Sequence, residues 1–167
     1  MTITVIVGNP RAGSRTLAAA TRLAHELGGA DLVIDLAEHA HELFDHGSGT
    51  VGELVEQVRR SDLVIVASPT FKATYTGLLK SFLDWFPADG LAGTCAVPLM
   101  LGASPTHALA PELGLRHLLV ELGASVPTRG LYVIDSGYDD PAAYAAWLAA
   151  ARPLLAPLVA TREAVSG

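Results

Sequence analysis

The run Gly8-Asn9-Pro10-Arg11-Ala12-Gly13-Ser14-Arg15-Thr16 gathers the groups that hold a phosphate: backbone N–H donors in a glycine-containing turn, hydroxyls at Ser14 and Thr16, and the Arg11 guanidinium. A helical pattern follows at once, so the unpaired N–H groups of a helix N-terminus join these donors and charge-assisted hydrogen bonds become available. The Gly8 to Gly13 spacing is that of a P-loop, but Ser14 stands where the phosphate-binding Lys is required, which argues against NTP hydrolysis. The loop has no Cys to serve as a phosphatase nucleophile. A receiver domain would place acidic residues after the first and third strands, where this chain has Gly8-Asn9 and Ser68-Pro69-Thr70. A dinucleotide fingerprint fails on its glycine spacing, although Asp35 is well placed at the end of a strand.

A second segment, Ala67-Ser68-Pro69-Thr70-Phe71-Lys72-Ala73-Thr74-Tyr75-Thr76-Gly77, combines backbone donors with Phe71 and Tyr75. That mixture suits a flat heteroaromatic ring, stacked on its face and hydrogen-bonded at its edge. A third, Gly102-Ala103-Ser104-Pro105-Thr106-His107, follows an apolar run and can close over the same ring. His39, His41, Asp45 and His46 also cluster, but their spacing matches no closed tetrahedral zinc motif, so no metal is assigned.

These loops need a scaffold, and the alternation of short apolar runs with helical patterns specifies one. Strands are expected over 2–7, 31–36, 63–67, 96–101 and 131–134, the first and third central because little polar interrupts them. Ser14 is placed to cap a first helix carrying Leu17, Ala20, Ala24 and Leu27, with Gly28-Gly29 as its stop. Thr50 through Glu53 has the pattern of a capping box opening a second helix, with Leu54, Val55 and Val58 inward. A third helix, 76–86, is apolar around most of its girth, which suggests a subunit interface. A fourth runs through Leu115, Leu118, Leu119 and Leu122, and a fifth starts at Asp140-Pro141 and should break or kink at Pro153. Pro98 within the fourth strand implies a bulge or an edge. With right-handed crossovers this makes an α/β, doubly wound, five-stranded parallel sheet of order 2-1-3-4-5, helices on both faces, with ligands beyond the carboxyl ends of strands one and three.

The 167 residues are expected to form one domain, 1–167. Half the residues are hydrophobic, only 17% are charged and the net charge is −6, so neither a disordered chain nor a phosphate-backbone binder is expected. No signal peptide or membrane span is read, so a cytoplasmic location is expected. Cys95, the only cysteine, lies in an apolar stretch and reads as a buried structural thiol.

Taken together the three loops resemble the NADPH-dependent FMN reductase family of flavodoxin-like proteins, in particular the flavin reductases serving alkanesulfonate monooxygenases. The first loop is similar to the family's G-S-x-R-x-x-S pattern. The stretch from Ser68 to Asp84 resembles its P-x-Y-x-x-x-x-x-G-x-L-K-x-x-L-D signature, and Gly102 through Ala110 its third flavin loop. The resemblance implies an oxidoreductase that moves hydride from NADPH or NADH to FMN and supplies reduced flavin to a monooxygenase. By it, Asn9, Arg11, Ser14 and Thr16 hold the FMN phosphate, while Pro69, Thr70, Phe71 and Lys72 line the isoalloxazine. Gly102, Ser104 and His107 bound the pocket. Arg15 is placed with the cofactor-binding residues, and Arg15, Arg22 and Arg129 are alternative candidates to meet the adenosine phosphate of NADPH, among which the sequence does not choose.

Hydride transfer to a flavin needs no protein nucleophile, only a nicotinamide stacked at about 3–3.5 Å in the right orientation, so no catalytic side chain is assigned. Two other readings remain open: a quinone, azo-dye or chromate reductase with tightly held FMN, and a non-enzymatic flavodoxin-type carrier. The resemblance also implies a homodimer, or a dimer of dimers, through helix 76–86, in which Lys80 and Asp84 join subunits. The alternative is an exposed pair within one helix, worth at most about 0.5 kcal/mol. Asn9 stands for the family's usual Ser, Phe71 for its usual Tyr, and Glu112-Leu113-Gly114-Leu115 lacks the Tyr that distorts helix four in sulfonate-type reductases.

Overall fold

The computed structural model describes residues 1–163, with side chains through residue 157. Five parallel strands, β1 (Ile3–Val7), β2 (Leu32–Asp35), β3 (Leu63–Pro69), β4 (Cys95–Gly102) and β5 (Leu131–Ile134), form one sheet in the order 2-1-3-4-5, as expected. Both β1 and β3 are buried throughout. Successive residues feed opposite faces: Ile65 and Ala67 pack toward α1 (Arg15–Glu26) and α5 (Ala142–Glu163). Val64 and Val66 pack toward α2 (Gly49–Arg59), α3 (Gly77–Leu83) and α4 (His117–Glu121). Burial of each such aliphatic side chain contributes about 1.5–3 kcal/mol, so the hydrophobic runs of β1 and β3 hold both helical layers to one sheet. Gly8, just past β1, is a place of close approach, where a Cβ would sit 2.4 Å from Leu79 Cβ of α3.

Several expectations are corrected. The cap of α2 is Ser48 and not Thr50: Ser48 Oγ accepts from Val51 N at 3.3 Å and donates to Glu42 Oε2 at 2.6 Å, which starts the helix earlier. Of the inward residues, Val55 and Val58 are buried with Val51, whereas Leu54 is only partly covered. Helix α3 stops at Leu83, since Pro87 disfavours helical backbone at Phe86, though Phe86 still meets Phe82 edge to face at 5.6 Å. Much of its apolar girth is covered within the chain: Leu79, Phe82 and Leu83 face the core, and Trp85 donates to Leu43 O at 2.8 Å under the His46 ring.

Pro98 causes no bulge, since β3 and β4 stay in register from Leu63↔Cys95 to Pro69↔Leu101. Its missing N–H points the same way as Ala96 N, which bonds Ser125 O, and the ladder to β5 begins only at Leu99↔Leu131. The proline thus occupies a local edge between two pairings. Helix α5 runs through Pro153, because Pro153 and Ala149, whose carbonyl loses its partner, are both exposed and water can take the freed acceptor. Ahead of α4 lies a π-helical turn, Pro111–Arg116, that the sequence did not announce. The expected domain limit at Gly167 lies outside the described residues. Among the described residues no helix is long and apolar enough to cross a membrane.

Cys95 is 2% exposed, and burial pushes its thiol pKa up to about 11. We expect no reaction with a thiol reagent at neutral pH in the folded protein and full reaction in denaturant, followed by absorbance; rapid native labelling would contradict this placement.

Candidate functional site

The carboxyl ends of β1, β3, β4 and β5 converge on one edge of the sheet. Ser14 caps α1, its Oγ accepting from Leu17 N at 3.2 Å, and is buried with Thr16. The loop ahead of it is folded by Asn9, whose Oδ1 accepts from Arg11 N at 3.0 Å and whose Nδ2 donates to Thr16 Oγ1 at 3.0 Å. Gly13, at φ +64°, donates its N–H to Asp35 Oδ2 at 3.1 Å. Asp35 Oδ1 also accepts from Ala37 N, so the carboxylate at the end of β2 braces the loop from beneath. That removes Gly13 from the free donors expected of the cradle and leaves the first-turn N–H groups of α1.

Arg11 is exposed and makes no ion pair among the described residues. Arg15 instead bonds Asp135 Oδ2 at 2.6 Å, with its guanidinium 5.9 Å from the centre of the Tyr138 ring. Asp135 opens the turn after β5, a loop the sequence reading had not joined to the site. Of the other candidate cations, Arg22 lies over Tyr144 and donates to Asp139 O, while Arg129 precedes β5 at the opposite end of the sheet.

The second loop is fixed at its base by two buried hydroxyls. Ser68 Oγ accepts from Thr76 N at 3.1 Å, and Thr76 Oγ1, the cap of α3, accepts from Leu79 N and donates to Gly8 O. Beyond them Phe71 and Thr74 exchange backbone hydrogen bonds across a tight turn whose central residues, Lys72 and Ala73, have φ of +53° and +68°. Such conformations are costly for residues other than glycine, and that turn holds Phe71 out, 52% exposed.

Two cavities result, sharing Asn9 and Asp135. One, of about 440 Å³, is polar and lined by Asn9, Arg11, Gly13, Ser14, Arg15 and Asp135. The other, of about 290 Å³, is lined by Asn9, Thr16, Pro69, Thr70, Phe71, Leu101, Gly102, Ala103 and Asp135. The structure thus brings together nine of the sequence-predicted residues: Asn9, Arg11, Ser14, Arg15, Thr16, Pro69, Thr70, Phe71 and Gly102. Lys72, Ser104 and His107 line neither cavity. Lys72 occupies the tip of its turn, Ser104 caps the short turn Pro105–His107 through Thr106 N, and His107 is exposed at its end.

The polar cavity, with an unpaired guanidinium and a helix N-terminus, fits a phosphate, its one carboxylate already neutralised by Arg15. In the second, Thr70 Oγ1 is buried without a hydrogen bond of ordinary geometry, beside the apolar face of Phe71; a flat ring with polar edges matches that pair. Lys80 and Asp84 pair within α3 through Nζ and Oδ1, both groups half exposed.

A family model described as NADPH-dependent FMN reductase matches residues 1–139. The chain is 32% identical over 148 residues to an FMN reductase (NADPH) of Escherichia coli, covering 84% of this chain and 76% of that protein. It is 33% identical over 85 residues to the NADH-dependent FMN reductase SfnF of Pseudomonas putida, covering 51% of this chain and 46% of the relative. The apo crystal structure of an NADH:FMN oxidoreductase, EmoB, superposes with a TM-score of 0.81 at 33% identity, over 89% of this chain and 85% of that one.

Proposed function

Since the chain belongs to the NADPH-dependent FMN reductase family, we propose that the polar cavity at the start of α1 takes the phosphate of FMN, and the adjoining slot its isoalloxazine, with NADH or NADPH as electron donor. The continuity of the two chemically different cavities is the observation that carries this reading. One offers cation and N–H donors, the other an exposed aromatic face and a buried hydroxyl, and Asn9 stands at the border of both.

FMN, when bound, supplies a ring that accepts hydride from a nicotinamide. The protein's own work is placement. Arg11 and the first turn of α1 anchor the anion, Phe71 gives the ring an apolar wall, and Gly102 lines the slot together with Leu101 and Ala103. The reaction requires orientation of nicotinamide and flavin, and no protein acid or base is assigned a step in it. A flavin-dependent monooxygenase in the cytoplasm is the proposed recipient of the reduced product.

A homodimer is part of this proposal. Leu109 and Leu113, joined by a backbone hydrogen bond one turn apart, are 55% and 76% exposed and form an apolar ridge close to the second loop. Sedimentation at micromolar concentration is expected to give twice the chain mass, and a monomer would remove this part.

The purified protein is expected to oxidise NADPH or NADH only when FMN is added, as followed by nicotinamide absorbance. Absence of flavin-dependent oxidation with both donors would overturn the assignment. FMN lost on gel filtration supports release of reduced flavin. FMN retained there, with ping-pong turnover of a quinone, reassigns the chain to the reductases that keep their flavin.

A further inference from the structure

Tyr132 lies on β5, beside Met100 of β4, and its side chain runs toward the flavin-ring loops. Its hydroxyl donates to Ser104 O of the third loop at 2.7 Å. A Cβ built on Gly102 would stand 2.0 Å from that hydroxyl, 3.0 Å from the Tyr132 ring carbon that bears it and 3.3 Å from Thr70 Oγ1. The phenol therefore fills the space where a Gly102 side chain would go, and the Thr70 hydroxyl borders the same space. Thr70 is itself anchored to the end of β4, its N–H donating to Leu101 O at 2.7 Å. The phenol thus bonds the third loop at Ser104 O and occupies the space beside Gly102 on which the Thr70 hydroxyl also borders.

We infer that Tyr132 is a positioning residue for the ring: its phenol sets the separation of the second and third loops, and Gly102 is glycine because the phenol passes there. This inference rests on the proposed seat of FMN. The other donor to the Ser104 carbonyl is the His107 N–H, within the same loop and at a long 3.5 Å, so loss of the hydroxyl removes the bond that ties this carbonyl to β5 and frees the third loop to move away from Thr70. Burial raises the Tyr132 pKa, with the Thr70 hydroxyl pulling the other way, so the phenol remains a neutral donor at physiological pH.

The test is Tyr132→Phe, compared with the wild type for binding of FMN and of riboflavin by flavin fluorescence. Loss of one hydrogen bond to the loop is expected to weaken both flavins alike, by about five- to tenfold. The KM for FMN should rise by a similar factor with kcat changed less, and the visible spectrum of the bound flavin should shift. A wild type that binds neither flavin would refute the proposed seat. A wild type that binds both, with a Tyr132→Phe protein that binds both equally well, would refute only the role of Tyr132.

Gly102→Ala supplies a second, independent arm. Alone it forces the Cβ into the phenol and should weaken flavin binding more than Tyr132→Phe does. The double variant Gly102→Ala, Tyr132→Phe removes the hydroxyl at 2.0 Å and should recover part of that loss. Melting of the flavin-free proteins separates this from general damage, because a merely structural role would lower the melting temperature without restoring binding in the double variant. No recovery in the double variant overturns the inference even if Tyr132→Phe folds poorly.

Discussion

Replacing Arg11 and Ser14 together by alanine is expected to weaken FMN binding by about one to two orders of magnitude while changing riboflavin binding by less than about threefold. The two ligands differ only in the phosphate, and these residues line only the polar cavity. Arg11 has no ion pair to lose among the described residues, so its charge is free for an anion, and a hydrogen bond to a charged group contributes about 1.5–3 kcal/mol. Ser14 also caps α1, and its loss alone costs about 1 kcal/mol of stability, so the measurement belongs at a temperature well below the melt. Fluorescence titration with both flavins reads the difference directly. Equal weakening for both would remove the phosphate from this cavity. Arg15→Ala makes an informative contrast, because its guanidinium is engaged with Asp135 and must exchange partners to reach an anion.

Phe82→Ala should lower the unfolding free energy by about 3–5 kcal/mol, a large part of the roughly 5–15 kcal/mol that holds a domain of this kind together. Phe82 is fully buried between α3 and the sheet and meets Phe86 edge to face, so truncation opens a cavity that neighbours on a rigid sheet cannot close. Urea unfolding followed by circular dichroism gives the number. A loss below about 1 kcal/mol would mean the helix can settle onto the sheet, and the packing described for this face would be wrong. Because α3 begins at Thr76, which bonds Gly8 O, weakened packing there should also loosen the junction between the first two loops, and flavin affinity should fall in the fraction that remains folded.

The strands and the Ser14 cap were legible in the sequence because both are local signals, runs of apolar residues alternating with helical spacing and a serine three residues ahead of the N–H it accepts, and the handedness of crossovers then set the strand order. That Asn9, Arg11 and Ser14 lie at one cavity was legible because they belong to one contiguous loop, whereas Thr16, expected beside them, lines the adjoining slot. What escaped depends on residues distant in the chain. Asp35 bracing Gly13, Asp135 pairing with Arg15, and Ser68 and Thr76 fastening the second loop each require knowing which strand ends lie side by side. Tyr132 was hidden in a strand whose pattern reports only burial. Ser104 and His107 were carried over with a loop motif, yet the loop turns them along its own backbone and away from the cavities. The wide turn at Pro111–Arg116 gave no sign because no residue type marks a hydrogen bond that skips one position further.

That wide turn has a consequence for how the protein can diverge. It accommodates one residue more than an ordinary helical turn, and the surplus is absorbed where Leu113 faces outward, while Leu115, Leu119 and Leu122 keep their grip on the sheet. Deleting a single position there converts the bulge to regular helix without rotating what lies downstream. Lineages descended from this chain therefore have a site, beside the second loop, at which a one-residue deletion reshapes the surface and spares the core.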